Sequence, residues 1–387
     1  MAILGDYIRI KHGFAFKGDY ITTEDNGVVL VTPGNFEIGG GFKEKKCKFF
    51  SAEYPADYVL HAGDLIVTMT DLSKQGDTLG FSALVPNSNR TYLHNQRIGL
   101  VDVFNPGADK DYIYWFMRTP YYQKTIVATA SGSTVKHTSP SRICDVEIEL
   151  PSLDEQKKIS SILRSIDDKI ENNQKINDNL QQQAMALYAS MFLDNPALET
   201  TAGTLKDIAN ITMGQSPSGS SYNEDDNGEV FYQGRAEFGY RFPTRRLYTT
   251  EPKRMAEAGD VLLSVRAPVG DLNVAYERCC IGRGLGAIHG RNGYQSFVLY
   301  TMFALRPQLD VYNGEGTVFG SINRSALNDM PIDIPSEDAI VAFEAIARPM
   351  DDMIRSNYEE NCRLQELRDS LLPRLMSGEV DVSDIDI

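Results

Sequence analysis

The 387-residue chain lacks the signatures of most enzymes and most exported proteins. Its five cysteines, Cys47, Cys144, Cys279, Cys280 and Cys362, are odd in number and none has metal-ligand spacing, which leaves a disulfide framework and a zinc site unsupported. The adjacent Cys279-Cys280 read as buried strand residues. No charged-then-apolar leader and no run of 18 apolar residues occurs, so a cytoplasmic location is expected. There is no GxxxxGK[ST] loop, no HExxH, no paired cysteine motif and no Asn/Asp-Pro-Pro-aromatic motif, and the five histidines are scattered without Ser-His-Asp order. Gly282-Arg283-Gly284-Leu285-Gly286 has no opening helix and no downstream acid in a βαβ unit, so it reads as a tight turn rather than a nucleotide site. No metal, no cofactor and no catalytic residue is expected in this chain.

Positive charge is also scarce. The 38 Lys and Arg against 53 Asp and Glu give a net charge of −15, which argues at first against a polyphosphate partner. The distribution weakens that argument. Residues 1–150 carry 15 basic against 17 acidic side chains and residues 201–335 carry 13 against 15, whereas residues 336–387 carry 5 against 13. Two large blocks are thus close to neutral and have room for basic loops, while the acid gathers in the remaining segments and the tail.

What the chain does have is a repeat. Pro151 to Phe192 is echoed by Pro335 to Met376 at an offset of 184 residues. In the first copy Leu163, Ile166, Ile170, Asn173, Asn177, Leu180, Ala184, Leu187 and Met191 alternate three and four apart, the seam of a heptad repeat. The second seam is Ala347, Met350, Ile354, Asn357, Asn361, Leu364, Arg368, Leu371 and Leu375. Both copies place asparagine at the same two steps. If the helices pair antiparallel, Asn173 meets Asn361 and Asn177 meets Asn357, fixing register; the alternative is that the four amides face water at a helix edge.

Shorter matches extend the repeat beyond the helices. Leu4 and Asp6 match Leu205 and Asp207, Gly34 matches Gly234, Ala62-Gly63-Asp64 matches Ala258-Gly259-Asp260, and Arg97 is matched with Arg283. Within each block, runs such as Val28 to Val31, Leu65 to Thr70, Ile98 to Val103, Val261 to Val265 and Ala287 to Ile288 read as strands; Tyr112 to Met117 and Phe297 to Leu305 read as helices. The expected organisation is residues 1–150 as a first globular domain, 151–193 as a first long helix, 194–335 as a second domain, 336–378 as a second long helix and 379–387 as an acidic tail. Such duplication predicts an internal pseudo-twofold molecule.

Ser152 followed by Glu155 forms a capping box, and Asn195-Pro196 stops the first helix. About 40 helical residues make a rod of roughly 60 Å, a spacer as well as a core. In the second copy Pro349 predicts a kink or break, and a stop is expected near Pro373 to Gly378.

The chain resembles the specificity subunit of type I restriction-modification enzymes. The resemblance rests on ELPSLDEQKKISSIL with its later IDDKIENN, on DIPSEDA with MDDMIRSN, on the closing LLPRLMSGEV, and on HGFAFKGDY, AGDLIVTMTDL, AGDVLLSVRAPVG and IGRGL within the blocks. It covers essentially the whole chain, and its specificity lies in the order of block, helix, block, helix. The fold it implies is α+β: two globular α/β target-recognition domains separated by two long antiparallel helices that form a coiled coil. The function it implies is non-catalytic reading of a bipartite double-stranded DNA target, with two methyltransferase subunits docked on the helices and a nuclease-translocase subunit as a further partner. S-adenosylmethionine would belong to the methyltransferase partners. The second helix carries Ala339-Ile340 where the first carries Glu155-Gln156, so equivalent docking on both helices is left open.

DNA recognition needs cations and small hydroxyls for phosphates, and Arg, Lys, Asn or Gln fans for base edges. The first block offers Lys11, His12, Lys17, Lys74, Gln75, Arg97, Thr134, Lys136 and His137 in polar loops; the second offers Gln215, Ser216, Gln233, Arg235, Arg241, Arg245, Arg246, Arg266, Arg283 and Thr317. For any one of these a solvated surface charge is the plainer reading. For Arg97 and Arg283 a structural tie to a loop carbonyl is as good a reading as a phosphate contact. The competing function is an adaptor whose coiled coil scaffolds proteins and whose loops bind peptide or glycan, and steep salt dependence of DNA binding would separate the two.

Overall fold

The computed structural model describes residues 2–71, 73, 75–314, 320–383 and 385. The chain forms two compact units, Met1–Glu171 with Asn361–Ile387, and Asn172–Glu360. Each globular block is therefore completed by a segment of both long helices.

In the first unit an antiparallel sheet runs in the order Ile8–His12, Ile98–Val103, Leu65–Thr68, Ser82–Leu84. A five-stranded sheet runs Ile21–Thr22, Lys48–Phe50, Val28–Val31, Thr91–His94, Val59–Leu60, with its third and fourth strands parallel. Strand alternation decides which side chain serves which core. Leu65 and Val67 join Tyr112, Trp115, Leu163 and Leu375 in one cluster, while Ile66 turns to Val29, Val31 and Tyr92 in another. Asp109 caps the helix Lys110–Phe116 by accepting from Tyr112 N.

The second unit repeats the plan. Its antiparallel sheet runs Ala209–Met213, Leu285–Gly290, Val261–Ser264, Leu272–Val274, and its five-stranded sheet runs Tyr222–Asn223, Leu247–Thr249, Glu229–Tyr232, Cys279–Ile281, Met255–Ala256. Val261 and Leu263 pack with Ala184, Phe297, Tyr300 and Phe343, whereas Leu262 packs with Tyr232 and Cys279. Cys279 and Cys280 are buried free thiols on a strand, and burial pushes the Cys279 thiol well up.

The first long helix spans Leu153–Tyr188 and continues as a π-helical turn over Ala189–Leu193 before Asn195-Pro196. Its capping box is complete: Ser152 N donates to Glu155 Oε2 at 2.9 Å and Glu155 N donates to Ser152 Oγ at 3.3 Å. At the second helix only half of the box exists, Ala339 N donating to Ser336 Oγ, because alanine returns nothing. That helix spans Glu337–Met376 without interruption, so no break occurs at Pro349. Pro349 and Ala345 both lie on the exposed face, so the Ala345 carbonyl that the proline leaves without a donor is open to solvent. The helix ends as expected, ahead of Gly378, which takes a φ of 71°.

Within each unit the two helices run antiparallel. In the first, Arg368 Nη1 donates to Asp167 Oδ1 at 2.7 Å and Asn361 Nδ2 donates to Ile170 O at 3.3 Å. In the second, Asn357 Nδ2 donates to Asn177 Oδ1 at 2.8 Å and Asn173 Nδ2 donates to Glu360 Oε2 at 2.7 Å. All four asparagines are buried, which excludes the water-facing alternative. Leu163, Ile166, Ile170 and Ile354 are buried beside them in the seam, and Leu180, Met350, Leu364 and Leu371 are half-buried.

Candidate nucleic-acid interface

In both units the antiparallel sheet ends at a tight turn that enters its longest strand. In the first unit Ile98 N donates to Asn95 O, and in the second Leu285 N donates to Gly282 O, each at 2.9 Å. The turn residues are then Gln96-Arg97 and Arg283-Gly284. A second tie fixes the match: Met69 N donates to Arg97 O in the first unit and Val265 N donates to Gly284 O in the second. The pairing of Arg97 with Arg283 is therefore one residue out of register. The counterpart of Arg283 is Gln96, and the counterpart of Arg97 is Gly284.

Around the second unit's turn the structure brings together Gln215, Ser216, Gln233, Arg266 and Arg283. Gln215 N donates to Ile281 O at 2.9 Å, Arg283 N donates to Ser216 Oγ at 3.2 Å, and Gly284 N donates to Gln233 O at 3.3 Å. Gly282 and Gly284 permit this approach, since a Cβ on either would stand 2.8 Å from Gln233 O. Arg266 and Arg283 are both exposed, and among the described residues neither guanidinium has a hydrogen-bond or carboxylate partner. Asp271 pairs with both Arg235 and Arg306, and Arg306 also pairs with Asp310.

The first unit places Thr70 where Arg266 stands in the second, because Thr138 N donates to Met69 O as Ile322 N donates to Val265 O. Thr70 is buried and its Oγ1 lies 3.1 Å from His137 Nδ1. Lys136 and His137 pair through their backbones with Asp71 and Thr70. Asp71 organises the loop that carries Gln75, accepting from Ser73 N at 2.6 Å, from Thr78 N, and from Thr78 Oγ1 at 2.8 Å. Burial pushes the Asp71 carboxyl up, but those donors outweigh it and hold it below the usual carboxylate range. Lys11, His12 and Lys17 are exposed near the strand Ile8–His12; Lys11 Nζ donates to Asp57 O at 2.8 Å and sits 4.9 Å from the Tyr58 ring centroid. Arg97, Gln75 and Thr134 are exposed. Lys74 and Thr317 lie outside the described residues.

Three arginines of the second block are already engaged. Arg235 pairs with Asp271, Arg245 makes a two-pronged contact with Glu277, and Arg246 Nη2 reaches Glu237 Oε1 at 2.6 Å. All three remain exposed, so their outer faces are still open. Arg241 is different and is a correction. It is buried against Asp351 of the second long helix, whose carboxylate also accepts from Ser296 Oγ at 2.6 Å and Tyr300 OH at 2.9 Å. A guanidinium so held cannot reach a ligand. Sequence reading missed Thr70 and Gln96, which become candidates only once the strand registers align the two turns.

A family model described as the type I restriction modification DNA specificity domain matches residues 3–182 and again residues 199–368. The MjaX type I restriction enzyme specificity subunit of Methanocaldococcus jannaschii is 28% identical over 348 residues, covering 84% of this chain and 80% of the relative. The MjaIX type I restriction enzyme specificity subunit of the same organism is 23% identical over 315 residues, covering 72% and 71%. The crystal structure of a type I restriction-modification system S subunit from M. genitalium shares the fold, with a TM-score of 0.57 at 16% identity over 96% of this chain and 94% of that one.

Proposed function

The chain belongs to the type I restriction modification DNA specificity family, and on that premise we propose that each of its two units reads one half of a split DNA target. It is the non-catalytic specificity subunit of a type I restriction-modification system; it binds DNA and assembles with the system's other subunits. The observation that carries the reading is the double family match, one copy on each repeat. It is supported by Arg266 and Arg283 at the turn of the second unit, both exposed and without a partner among the described residues.

In the finer reading, two methyltransferase subunits dock on the long helices and hold the S-adenosylmethionine, and a nuclease-translocase subunit completes the enzyme where one is made. The helices shared by the two units fix the unread gap between half-sites, as rigid spacing does in other two-site readers. A cytoplasmic site of action follows from the DNA substrate; no described helix is long and apolar enough to cross a membrane.

Exchanging residues 1–150 for the corresponding block of a relative tests the reading. Sequencing of methylated DNA from cells making the assembled complex should show one half of the motif changed and the other half retained. A motif altered in both halves, or in neither, would overturn it.

A further inference from the structure

The turn of the second unit carries an arrangement that packing does not account for. The backbones of Arg266 and Arg283 each lie one residue beyond the hydrogen-bonded pair Val265–Gly284. Two like charges at such neighbouring strand positions repel. Three other arginines of this unit, Arg235, Arg245 and Arg246, each have a carboxylate partner. Asp271, whose backbone carbonyl accepts from Ser264 N, is already shared by Arg235 and Arg306. Among the described residues neither guanidinium has a partner, and the turn that carries Arg283 is held close to Gln233 through Gly282 and Gly284, with Ser216 Oγ accepting from Arg283 N.

A guanidinium is a rigid planar fork of donors, and the base edge that matches it in a DNA groove is the O6 and N7 acceptor pair of guanine. We propose that Arg266 and Arg283 form a guanine-reading pair, so that the half-site recognised by the second unit contains guanine at the positions they reach. The first unit has no such demand at the matching place, because its equivalents are Thr70, buried and tied to His137, and Gln96, an exposed amide. An amide presents one donor and one acceptor and suits adenine rather than guanine. The two halves of the target are thus read by different chemistry at structurally matched positions. This rests on the specificity-subunit reading above and adds to it the bases and the residues.

The test uses the chain assembled with its methyltransferase partners and duplexes carrying its methylated motif. The half-site that changes when residues 201–335 are exchanged is assigned to the second unit. Guanines there are replaced one at a time by 7-deazaguanine, which removes the N7 acceptor and leaves the phosphates untouched. The expected result is a loss of affinity on the order of ten- to a hundredfold at one or two guanines, with Arg266→Gln and Arg283→Gln each becoming indifferent to one of them and methylating a motif relaxed at that position. A second half-site without guanine, or one in which no 7-deaza substitution weakens binding, would overturn the proposal. So would variants that weaken all duplexes equally with the motif intact, since that is the behaviour of phosphate clamps. The wild-type arm needs no variant, so a misfolded Arg283→Gln leaves the test standing. Failure of the underlying reading would look different: exchange of residues 201–335 would leave both halves of the motif unchanged.

Discussion

Two aspartates at the same step of the repeated helix, Asp167 and Asp351, each bind a buried arginine, and the arginine comes from a different place in each unit. In the first unit Arg118, just past the helix Lys110–Phe116, donates to Asp167 Oδ2 at 3.0 Å, to Tyr114 OH at 2.6 Å and to Gly39 O at 2.8 Å. In the second, Arg241 reaches Asp351 from the loop bridged by Phe238 and Pro243. The matching first-unit loop, bridged by Phe36 and Phe42, holds Gly39-Gly40-Gly41. A Cβ on Gly40 would stand 2.6 Å from Arg118 Cγ, so the glycine makes the space that the other arginine fills. Breaking a buried pair by removing one partner strands the other charge and costs about 3 kcal/mol. Arg241→Ala should therefore lower the unfolding free energy of the chain by about that amount in urea titration. Unchanged stability with weakened DNA binding would restore Arg241 to the reading surface. In the sequence this arginine looks like its neighbours Arg245 and Arg246, because what separates them is a carboxylate 110 positions away in the chain.

The long helices were legible because their signal is local. A seam that repeats every three and four residues, a capping box and a terminal glycine are all set within a few turns of the chain, and the observed helices follow them. The absence of a break at Pro349 was not legible, because it turns on where the carbonyl left without a donor falls, and that carbonyl, of Ala345, is on the exposed face. The turn register was out by one for a related reason: the two copies align through backbone hydrogen bonds at Met69 and Val265, not through identical side chains. Masked similarity of this kind hid Thr70 and Gln96, whereas Arg266 and Arg283 stood out as cations beside glycines. The seam's energetics are open to measurement. Asn177→Leu alone should cost roughly 1–3 kcal/mol, because the buried amide of Asn357 loses its acceptor at Asn177 Oδ1. Asn177→Leu with Asn357→Leu should recover most of that loss, since two apolar side chains leave nothing unpaired. Urea unfolding of the two single variants and the double variant gives the coupling directly. A harmless single substitution would mean that the amide pair contributes no register energy.

At the scale of the whole molecule the difficulty is charge. A chain of net charge −15 must approach a polyanion, and its exposed cations, such as Arg266 and Arg283 in one unit and Lys17 and Arg97 in the other, are scattered among a larger number of acidic side chains. Local arginines can select bases at short range, but long-range attraction follows the summed field, and the acidic excess of residues 336–387 opposes it. Affinity supplied by phosphate contacts appears as counterion release, with log K falling by about 0.9 per phosphate for each unit of log salt. If the partner subunits bring most of the positive surface, the isolated chain should bind its own target weakly and with a shallow salt slope. The assembled complex should bind the same duplex more tightly, with a slope steeper by several phosphates. Fluorescence anisotropy on one labelled duplex from about 50 to 200 mM salt, with and without the methyltransferase partners, reads both quantities. Equal affinities and equal slopes would place the whole electrostatic footprint on this chain.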